Sequence, residues 1–317
     1  MTAPRILVTP RSMSAPGSAA VDRLRAAGFT VVAPAPGRQP TGAELAAALP
    51  GVVGWIAGVE TIDAGVLAHA DALRVISRNG AGRDAIDGTA ADAAGVQVLT
   101  ARGANAQGVA ELALALALMG LRGLPEASAA LRAGHWRRGT GREAAGRTLG
   151  VVGLGAIGRR LAHLAGGLGM RVVAHDPFVS DGGDVALLPL EALLRTSEVV
   201  SLHVPPSPAG PLLGSAELAL LRDDAVLLNT ARSTLVDEVA LLAELESGRI
   251  ALYSVDAFDR EPPEPSALLA HPRVVPTPHL GASTTESVRR ASDAAVENLL
   301  AALGVAAEPP HGPEGQA

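Results

Sequence analysis

The sequence predicts an α/β fold with two doubly wound parallel sheets. Three observations carry this prediction. Short β-rich runs alternate with Ala- and Leu-rich helical stretches, which is typical of a parallel sheet covered by helices. A second series of such runs begins with a glycine-rich turn near the middle of the chain. The length of 317 residues is enough for two ordinary domains with substantial cores.

The first series of elements occupies roughly the first 100 residues. Gly28 and Gly95 each follow a helical stretch, where glycine commonly ends a helix. The strands predicted here are Arg5–Thr9, Thr30–Ala33, Gly51–Ala57, Leu73–Arg78 and Val96–Thr100, and the helices are Ala19–Ala27, Thr41–Leu49, Asp63–Ala70 and Asp87–Ala94.

A long helix is predicted next, from about Gln107 to Leu121. Proline is tolerated near a helix start but not inside a helix, so Leu124–Pro125 should begin another helix that runs to about Ala133. A polar tail from about Ala306 is expected to be disordered. The second series has predicted strands at Thr148–Gly153, Arg171–His175, Val199–His203, Ala225–Asn229, Ile250–Val255 and Val274–Pro276, and it ends with a helix at Thr285–Leu303.

Two residue types are missing, and their absence excludes several kinds of chemistry. Without Lys there is no Schiff base, no pyridoxal-phosphate anchor and no P-loop lysine. Without Cys there is no thiolate nucleophile and no Cys-held metal centre, and we predict no metal site. Arginine binds anions but is a poor proton shuttle, because it is always charged. Acid–base chemistry therefore depends on eight His and thirty-two carboxylates.

The charge balance and hydropathy indicate where the protein works. A net charge of −6 gives no basic surface field for nucleic acid. No secretory signal is visible at the N-terminus, and the longest apolar run, Leu112–Leu121, is about half the ~20 residues that a membrane span needs. A soluble cytoplasmic protein without nucleic-acid or membrane partners is expected.

The strongest local motif is Gly153-Leu154-Gly155-Ala156-Ile157-Gly158, between an apolar strand and a helix. Its glycines allow a tight turn, a close approach of backbone to a pyrophosphate, and close packing of helix on strand. The helix N-terminus then offers free N–H groups to the phosphates. Asp176 ends the next strand, where a carboxylate accepts the ribose 2′-hydroxyl of NAD and repels the 2′-phosphate of NADP. This unit is predicted to be a Rossmann domain that binds NAD, with a turn needed only for packing as the alternative.

Polar side chains follow three later strands. Arg232, Glu261 and His279 come after the strands that end near residues 229, 255 and 276. The carboxyl ends of parallel strands share one edge, where ligands of open α/β sheets bind. An Arg binds a carboxylate and polarises a carbonyl group, and a His with a carboxylate partner exchanges a proton. The set suits hydride chemistry on a 2-oxo acid, although each residue alone also fits an ordinary loop.

Several segments together resemble the NAD-dependent D-isomer-specific 2-hydroxyacid dehydrogenases, in particular the D-3-phosphoglycerate dehydrogenase-like members in a short form without the C-terminal regulatory domain. The resemblance covers nearly the whole chain, and its motifs are highly specific in combination. The segments that carry it are Arg78–Asp87, Asn105–Glu111, Gly146–Pro177, Asn229–Arg232, Asp256–Pro262 and Pro278–Ala282.

The resemblance implies a role for each matching residue. His279 would be the acid–base catalyst, Glu261 its partner, and Arg232 the residue that binds the carboxylate and polarises the carbonyl group. The residues implied in holding the substrate carboxylate are Gly80, Ala81 and Gly82, through backbone N–H groups, with Asn105 nearby. The residues implied in binding NAD are Gly153, Gly155, Ala156, Ile157, Gly158, Asp176, His203, Val204, Thr230, Ala231, Asp256 and Gly281.

The resemblance also implies a discontinuous first domain. A flavodoxin-like substrate domain would comprise residues 1–101 and 284–317, with the Rossmann domain, residues 102–283, inserted into it. A homodimer is expected, with the helix after Asn105 and the segment Gly120–Trp136 as contact elements. Ser233 stands where the family usually has Gly, so the loop of Arg232 is expected to sit differently.

The expected substrate is a small 2-oxo or D-2-hydroxy acid, anionic like 3-phosphoglycerate or an analogue. Arg11, Ser12, Arg78 and Arg83 are candidates to bind its second anionic group, and a solvent-facing role is the alternative for them. Two other functions stay open on the same scaffold. An NAD(H)-sensing co-repressor would bind NADH without efficient turnover, and a formate- or phosphite-type dehydrogenase would oxidise a different substrate.

Overall fold

The structure is a computed structural model that describes residues 3–305, and it divides into two compact units. Within the described part, the first unit contains residues 3–105 and 285–305, and the second contains residues 106–284. The tail expected to be disordered lies outside the described residues. Within 3–305 no single helix is long and apolar enough to cross a membrane, and only one bent helix pair has the length and composition for it.

The first unit is built on a five-stranded parallel sheet. The elements are β1 (Arg5–Val8), α1 (Arg11–Ser14), α2 (Ala19–Ala26), β2 (Thr30–Val32), α3 (Gly42–Ala48), β3 (Val52–Ala57), α4 (Ala64–Leu67), β4 (Val75–Arg78), α5 (Gly88–Ala93) and β5 (Gln97–Thr100). The strand order is β2-β1-β3-β4-β5, the doubly wound order of flavodoxin-like folds. Every strand predicted in this part of the sequence is present.

The second unit is built on a seven-stranded parallel sheet. Its elements are α6 (Ala106–Arg122), α7 (Leu124–Arg132), β6 (Thr148–Val152), α8 (Ala156–Gly167), β7 (Arg171–His175), β8 (Ala186–Leu187), α9 (Leu190–Thr196), β9 (Val199–Leu202), α10 (Ser215–Leu218), β10 (Ala225–Asn229), a 3₁₀ turn (Ser233–Leu235), α11 (Glu238–Glu246), β11 (Ile250–Val255), α12 (Ala267–Ala270) and β12 (Val274–Pro276). The strand order, β12-β11-β10-β9-β6-β7-β8, reverses direction between β6 and β9 as in a Rossmann fold. The predicted fold class is confirmed.

The last helix, α13 (Thr285–Ala302), returns to the first unit. It buries Ala295, Val296, Leu299 and Leu300 in the core that contains strand β1. Polar contacts reinforce this packing, because Asn298 Nδ2 donates to the Thr100 carbonyl oxygen at 3.1 Å. The helix packs beside α2 on the same face of the sheet, so the core of the first unit is completed by a segment from the far end of the described chain.

The burial and length of an element explain whether the sequence predicted it. All residues of β6, β9 and β10 are buried, and continuous apolar runs of this kind mark central parallel strands. Strand β8 was not predicted, since two residues at a sheet edge carry no periodic signal. Helix α1 was also missed, because four residues directly after a strand read as a loop.

Candidate active site

The glycine turn after β6 is shaped by close backbone contacts. Gly153 has a φ of +96°, and a Cβ atom there would lie 2.6 Å from the carbonyl oxygen of His203. A Cβ atom on Gly158 would lie 2.1 Å from the carbonyl oxygen of Gly153. Neither position tolerates a side chain without movement of backbone, so these two glycines are required by the turn itself.

The N-terminus of α8 faces open space beside this turn. Gly155 is the N-cap, no side chain caps the helix, and nothing lies within 4 Å of the place where a Gly155 Cβ atom would be. The first-turn N–H groups, which begin at Ala156 and Ile157, therefore suit an anion. The hydroxyl of Thr230 in the same unit is buried and has no hydrogen-bond partner among the described residues. These features fit a phosphate-bearing dinucleotide.

Asp176, at the end of β7, faces the same turn. Its Oδ2 accepts a hydrogen bond from Leu154 N at 2.9 Å, and its Oδ1 accepts one from Phe178 N at 2.9 Å. Each carboxylate oxygen keeps acceptor capacity for a ribose hydroxyl, since a carboxylate has about four lone-pair sites. The carboxylate is thus held in place by backbone while remaining able to bind a diol.

His279 and Glu261 form a pair in the second unit, although 18 positions separate them in the sequence. His279 Nδ1 lies 2.8 Å from Glu261 Oε1, and the two side chains are 46% and 43% exposed. The same carboxylate oxygen accepts a hydrogen bond from Phe258 N at 3.1 Å. With Nδ1 directed to a carboxylate, Nε2 is the ring atom left to exchange a proton.

Asp256 holds the turn that carries His279. The side chain is 1% exposed, Oδ1 accepts from Thr277 Oγ1 at 2.6 Å and Leu280 N at 2.7 Å, and Oδ2 accepts from Gly281 N at 2.9 Å. These bonds support His279 at φ +53°, a left-handed conformation that is uncommon for residues other than glycine. Both oxygens of Asp256 therefore hold the turn, a role that the sequence did not predict, while its contact with the cofactor stays a prediction.

Asn229 supports the loop of Arg232 in a similar way. The side chain is fully buried at the end of β10, and its Oδ1 accepts from the backbone N–H groups of Ala231 and Arg232, both at 3.2 Å. Its Nδ2 donates to the carbonyl oxygen of Arg232 at 2.7 Å and to Tyr253 Oη at 3.3 Å. Burial raises the pKa of Tyr253, so this hydroxyl stays neutral. An Asn directly after an apolar strand and before a turn was the available signal for this role.

Ser233 links the two loops that carry Arg232 and Glu261. Its Oγ accepts from Asp259 N at 3.2 Å, and its backbone N–H donates to the carbonyl oxygen of Ala257 at 2.9 Å. A glycine at this position would keep only the second of these bonds. The serine therefore adds a contact that ties the loops together.

His203, at the end of β9, borders the glycine turn but is not available as an acid near neutral pH. Burial lowers its pKa to about 4, and its Nε2 lies 2.9 Å from Ser201 Oγ. The ring is consequently uncharged between pH 5 and 8. Of the two histidines that follow strands β9 and β12, His279 alone has a carboxylate partner in the described residues.

The first unit has its own cavity, of about 240 Å³, at the carboxyl ends of β1, β3 and β4. This is the point where the strand order reverses, and ligands of doubly wound sheets bind there. Arg11, Ser12 and Arg78 all line the cavity, as does Asn79, whereas Arg83 does not. The structure therefore brings together three of the four residues proposed to recognise a second anion.

The loop after β4 continues from this cavity. Gly80 has a φ of +155°, and a Cβ atom there would lie 2.8 Å from Arg78 Nη1. The N–H groups of Ala81 and Gly82 donate to no acceptor among residues 3–305. The Oδ1 atom of Asn105 is buried without a hydrogen-bond partner in the same described part of the chain. These groups can receive a small polar ligand.

Residues 114–281 match the family described as "D-isomer specific 2-hydroxyacid dehydrogenase, NAD binding domain". The chain is 40% identical over 250 residues to the D-3-phosphoglycerate dehydrogenase of Mycobacterium leprae, covering 77% of this chain and 47% of that relative. It is 37% identical over 240 residues to the hydroxypyruvate reductase of Thermotoga maritima, covering 74% and 78%. The solved structure of the TT0316 protein of Thermus thermophilus has a TM-score of 0.85 at 38% identity and covers 97% and 100%.

The chain spans about half the length of the Mycobacterium leprae relative but most of the Thermotoga maritima and Thermus thermophilus proteins. The matched segment begins inside α6 and ends at Gly281, so it includes the glycine turn, Asp176 and the His279–Glu261 pair. NAD is the cofactor of this domain, as predicted, and the chain belongs to the family of D-isomer-specific 2-hydroxyacid dehydrogenases.

Proposed function

We propose that the protein is an oxidoreductase that interconverts a 2-oxo acid and its D-2-hydroxy acid. The observation that carries the proposal is the 2.8 Å contact between His279 Nδ1 and Glu261 Oε1, in a unit that also has a dinucleotide turn. When bound, NADH supplies the hydride that the carbonyl carbon receives in the reductive direction.

The chain's own residues handle the proton and the substrate charge. His279 gives its Nε2 proton to the carbonyl oxygen, and Glu261 stabilises the protonated ring beforehand by accepting from Nδ1. Arg232 binds the substrate carboxylate and polarises the carbonyl group, because a guanidinium fork matches both oxygens. In the first unit, the N–H groups of Ala81 and Gly82 are proposed to hold the carboxylate as well.

The proposed substrate is a three-carbon acid of the glycerate series. Support comes from the names of two relatives, which refer to 3-phosphoglycerate and hydroxypyruvate, and from the small cavity in the first unit. The proposal includes both the phosphorylated acid expected from the sequence and the free hydroxy acid. The assignment of the first unit as the substrate domain is part of the same proposal.

The test is NADH oxidation with a panel of 3-phosphohydroxypyruvate, hydroxypyruvate, phosphonopyruvate, glyoxylate and pyruvate, with formate and phosphite assayed in the oxidative direction. Turnover of a 2-oxo acid is expected. Tight NADH binding with no efficient turnover of any substrate would instead favour an NAD(H)-sensing protein. Activity confined to formate or phosphite would favour a formate- or phosphite-type dehydrogenase.

The homodimer stays a prediction. None of the residues of α7 is buried, and Leu124, Leu131 and Trp136 in the segment proposed as a contact are 52%, 59% and 80% exposed. Apolar side chains grouped on one exposed segment suit contact with a partner.

Asp176→Ser should weaken the preference for NADH over NADPH. The substitution removes the carboxylate that can bind the ribose diol and that would repel a 2′-phosphate. We expect the ratio of kcat/KM for NADH to that for NADPH to fall about tenfold or more. Asp181→Ser is the matched control, since Asp181 is an exposed carboxylate nearby in sequence whose Oδ1 accepts from Gly183 N. An unchanged ratio in the Asp176 variant would remove this residue from cofactor selection.

Ser233→Gly should lower turnover about two- to tenfold, the loss expected for one hydrogen bond. The variant loses the bond from Asp259 N, so the loops of Arg232 and Glu261 are less firmly coupled. Steady-state kinetics should show the loss in kcat, and Ser233→Thr, which keeps a hydroxyl, should recover most of it. Ser247→Gly is the control, because its exposed hydroxyl accepts from Arg249 N and donates to the Glu244 carbonyl oxygen, and so bonds neither loop. Equal kinetics for the glycine variant and the wild type would contradict the coupling.

A further inference from the structure

The cavity of the first unit contains a buried carboxylate to which the proposed chemistry assigns no role. Glu60 follows β3, is 3% exposed and lines the cavity together with Arg11 and Arg78. Within residues 3–305 its carboxylate forms no ion pair. A buried carboxylate is costly to keep unless it has hydrogen-bond donors, so the groups that face it determine what it does.

A chain of hydrogen bonds orients this carboxylate. Trp55 Nε1 donates to Thr9 Oγ1 at 3.0 Å, and the Thr9 hydroxyl donates in turn to Glu60 Oε1. The same oxygen accepts from Gly58 N at 2.9 Å. Both donors, the Thr9 hydroxyl and Gly58 N, bond the same carboxylate oxygen. Oε1 therefore acts as an acceptor, and these bonds fix the orientation of the carboxylate.

The other oxygen, Oε2, accepts no hydrogen bond from the described residues. It lies 2.7 Å from the place where a Cβ atom of Gly58 would be, and Gly58 also lines the cavity. The absence of a side chain at Gly58 therefore leaves Oε2 accessible from the cavity. A hydrogen-bond acceptor with no donor is thus present inside a small ligand-sized space.

Size and charge then restrict what this space accepts. A cavity of about 240 Å³ lies below the ~300 Å³ at which ordinary ligand pockets begin, so the group it takes is small. Arg11 and Arg78 favour an anion, but Arg78 Nη1 already donates to the Asn79 carbonyl oxygen at 2.6 Å and Arg11 is exposed. A doubly charged phosphate placed here would be repelled by the buried Glu60 carboxylate at short range. A hydroxyl would supply the donor that Oε2 lacks.

We propose that Glu60 is a specificity-determining residue, which accepts a hydrogen bond from the C3 hydroxyl of a three-carbon 2-oxo or D-2-hydroxy acid and disfavours a phosphate ester at that carbon. This inference rests on the proposed function. In this proposal the loop of residues 80–82 binds the carboxylate of the acid. This loop directly follows Asn79, which lines the cavity. It predicts hydroxypyruvate and D-glycerate as substrates, in preference to their 3-phosphorylated forms.

The first test uses the wild-type protein and three substrates. Hydroxypyruvate is expected to exceed pyruvate in kcat/KM about 10- to 100-fold, since pyruvate lacks the hydroxyl and leaves the buried carboxylate unpaired. It is also expected to exceed 3-phosphohydroxypyruvate. Equal use of pyruvate, or a preference for the phosphorylated acid, would overturn the proposal.

The second test is Glu60→Gln. The glutamine amide oxygen can still accept from Thr9 and Gly58, while its NH₂ group replaces Oε2 and turns an acceptor into a donor. The ratio of kcat/KM for hydroxypyruvate to that for 3-phosphohydroxypyruvate should fall about tenfold or more. Asp92→Asn, which removes an exposed carboxylate from the same unit, should leave the ratio unchanged. A folded Glu60→Gln variant with the wild-type ratio would overturn the proposal.

Equilibrium binding separates this inference from the proposed function. Titration of D-glycerate and D-lactate into the wild-type protein with NAD needs no turnover, and D-glycerate should bind about tenfold more tightly or better. Protein that turns over no 2-oxo acid, yet binds D-glycerate with this preference, would contradict the oxidoreductase function while supporting Glu60. Protein that turns over 2-oxo acids but binds D-glycerate and D-lactate equally would support the oxidoreductase function while contradicting the role of Glu60.

Discussion

Replacing His279 with Ala is expected to lower turnover of the 2-oxo acid about 100-fold or more, the usual contribution of a positioned acid–base group. His203, the histidine that borders the glycine turn, is not expected to replace it, because burial lowers the pKa of that ring to about 4. NADH affinity should stay nearly unchanged, since the glycine turn and Asp176 are untouched. Stopped-flow measurement of NADH oxidation, together with NADH fluorescence titration, checks both parts.

The left-handed backbone at His279 calls for a second variant. A residue with φ +53° is strained for Ala but tolerated by Asn, so His279→Asn removes the acid–base group with less disturbance of the turn. Both variants should lose turnover to a similar degree. His163→Ala, an exposed histidine on α8, should behave like the wild type. Unchanged turnover in the two His279 variants would remove this residue from the proposed mechanism.

Replacing Arg232 with Lys is expected to lower kcat/KM for the 2-oxo acid about 100-fold or more. A guanidinium group can bond a carboxylate through two parallel N–H groups, whereas an ammonium group offers one point charge. The loop itself should persist, because Asn229 binds the backbone of residues 231 and 232 rather than the side chain. Steady-state kinetics with the best substrate of the panel measures the loss.

A rescue experiment and a control variant distinguish a loss of the guanidinium group from a general disturbance of the protein. Added guanidinium ion should restore part of the activity of an Arg232→Ala variant if the missing group is what limits it. Arg195→Lys, at an exposed arginine on α9, should leave kcat/KM as it is. Wild-type kinetics for Arg232→Lys would show that charge alone suffices and would contradict bidentate binding.

The fold and the cofactor were predictable because their signals are local. The motif Gly153–Gly158 sits between a buried strand and a helix, and the structure shows why two of its glycines cannot carry side chains. The alternation of strands and helices likewise predicted both sheets, since each strand is a short apolar run. Short elements such as α1 and β8 escaped prediction, because a few residues carry no periodicity.

The candidate site was predictable in its residue types but not in its contacts. Arg232, Glu261 and His279 follow successive strands, which placed them at one edge, yet the support of Asn229 for Arg232 depends on the geometry of a turn. Asp256 was expected to serve the cofactor, which stays a prediction, and the hydrogen bonds of its two oxygens to the turn of His279 were not predicted. A hydrogen-bond acceptor can serve many partners, and the sequence does not state which one lies within hydrogen-bond distance.

The sequence by itself determined the fold class, the family and the cofactor, because these depend on patterns within a few consecutive residues. Only the tertiary structure decided which side chains meet. Parallel strands bring the ends of distant segments to one edge, so Arg11, Glu60 and Arg78 line one cavity although they belong to three different strand ends. Arg11, Ser12 and Arg78 were expected to bind a second anion there. The tertiary structure places the buried carboxylate of Glu60 among them, and for this reason we propose that the cavity suits a hydroxyl group rather than a phosphate.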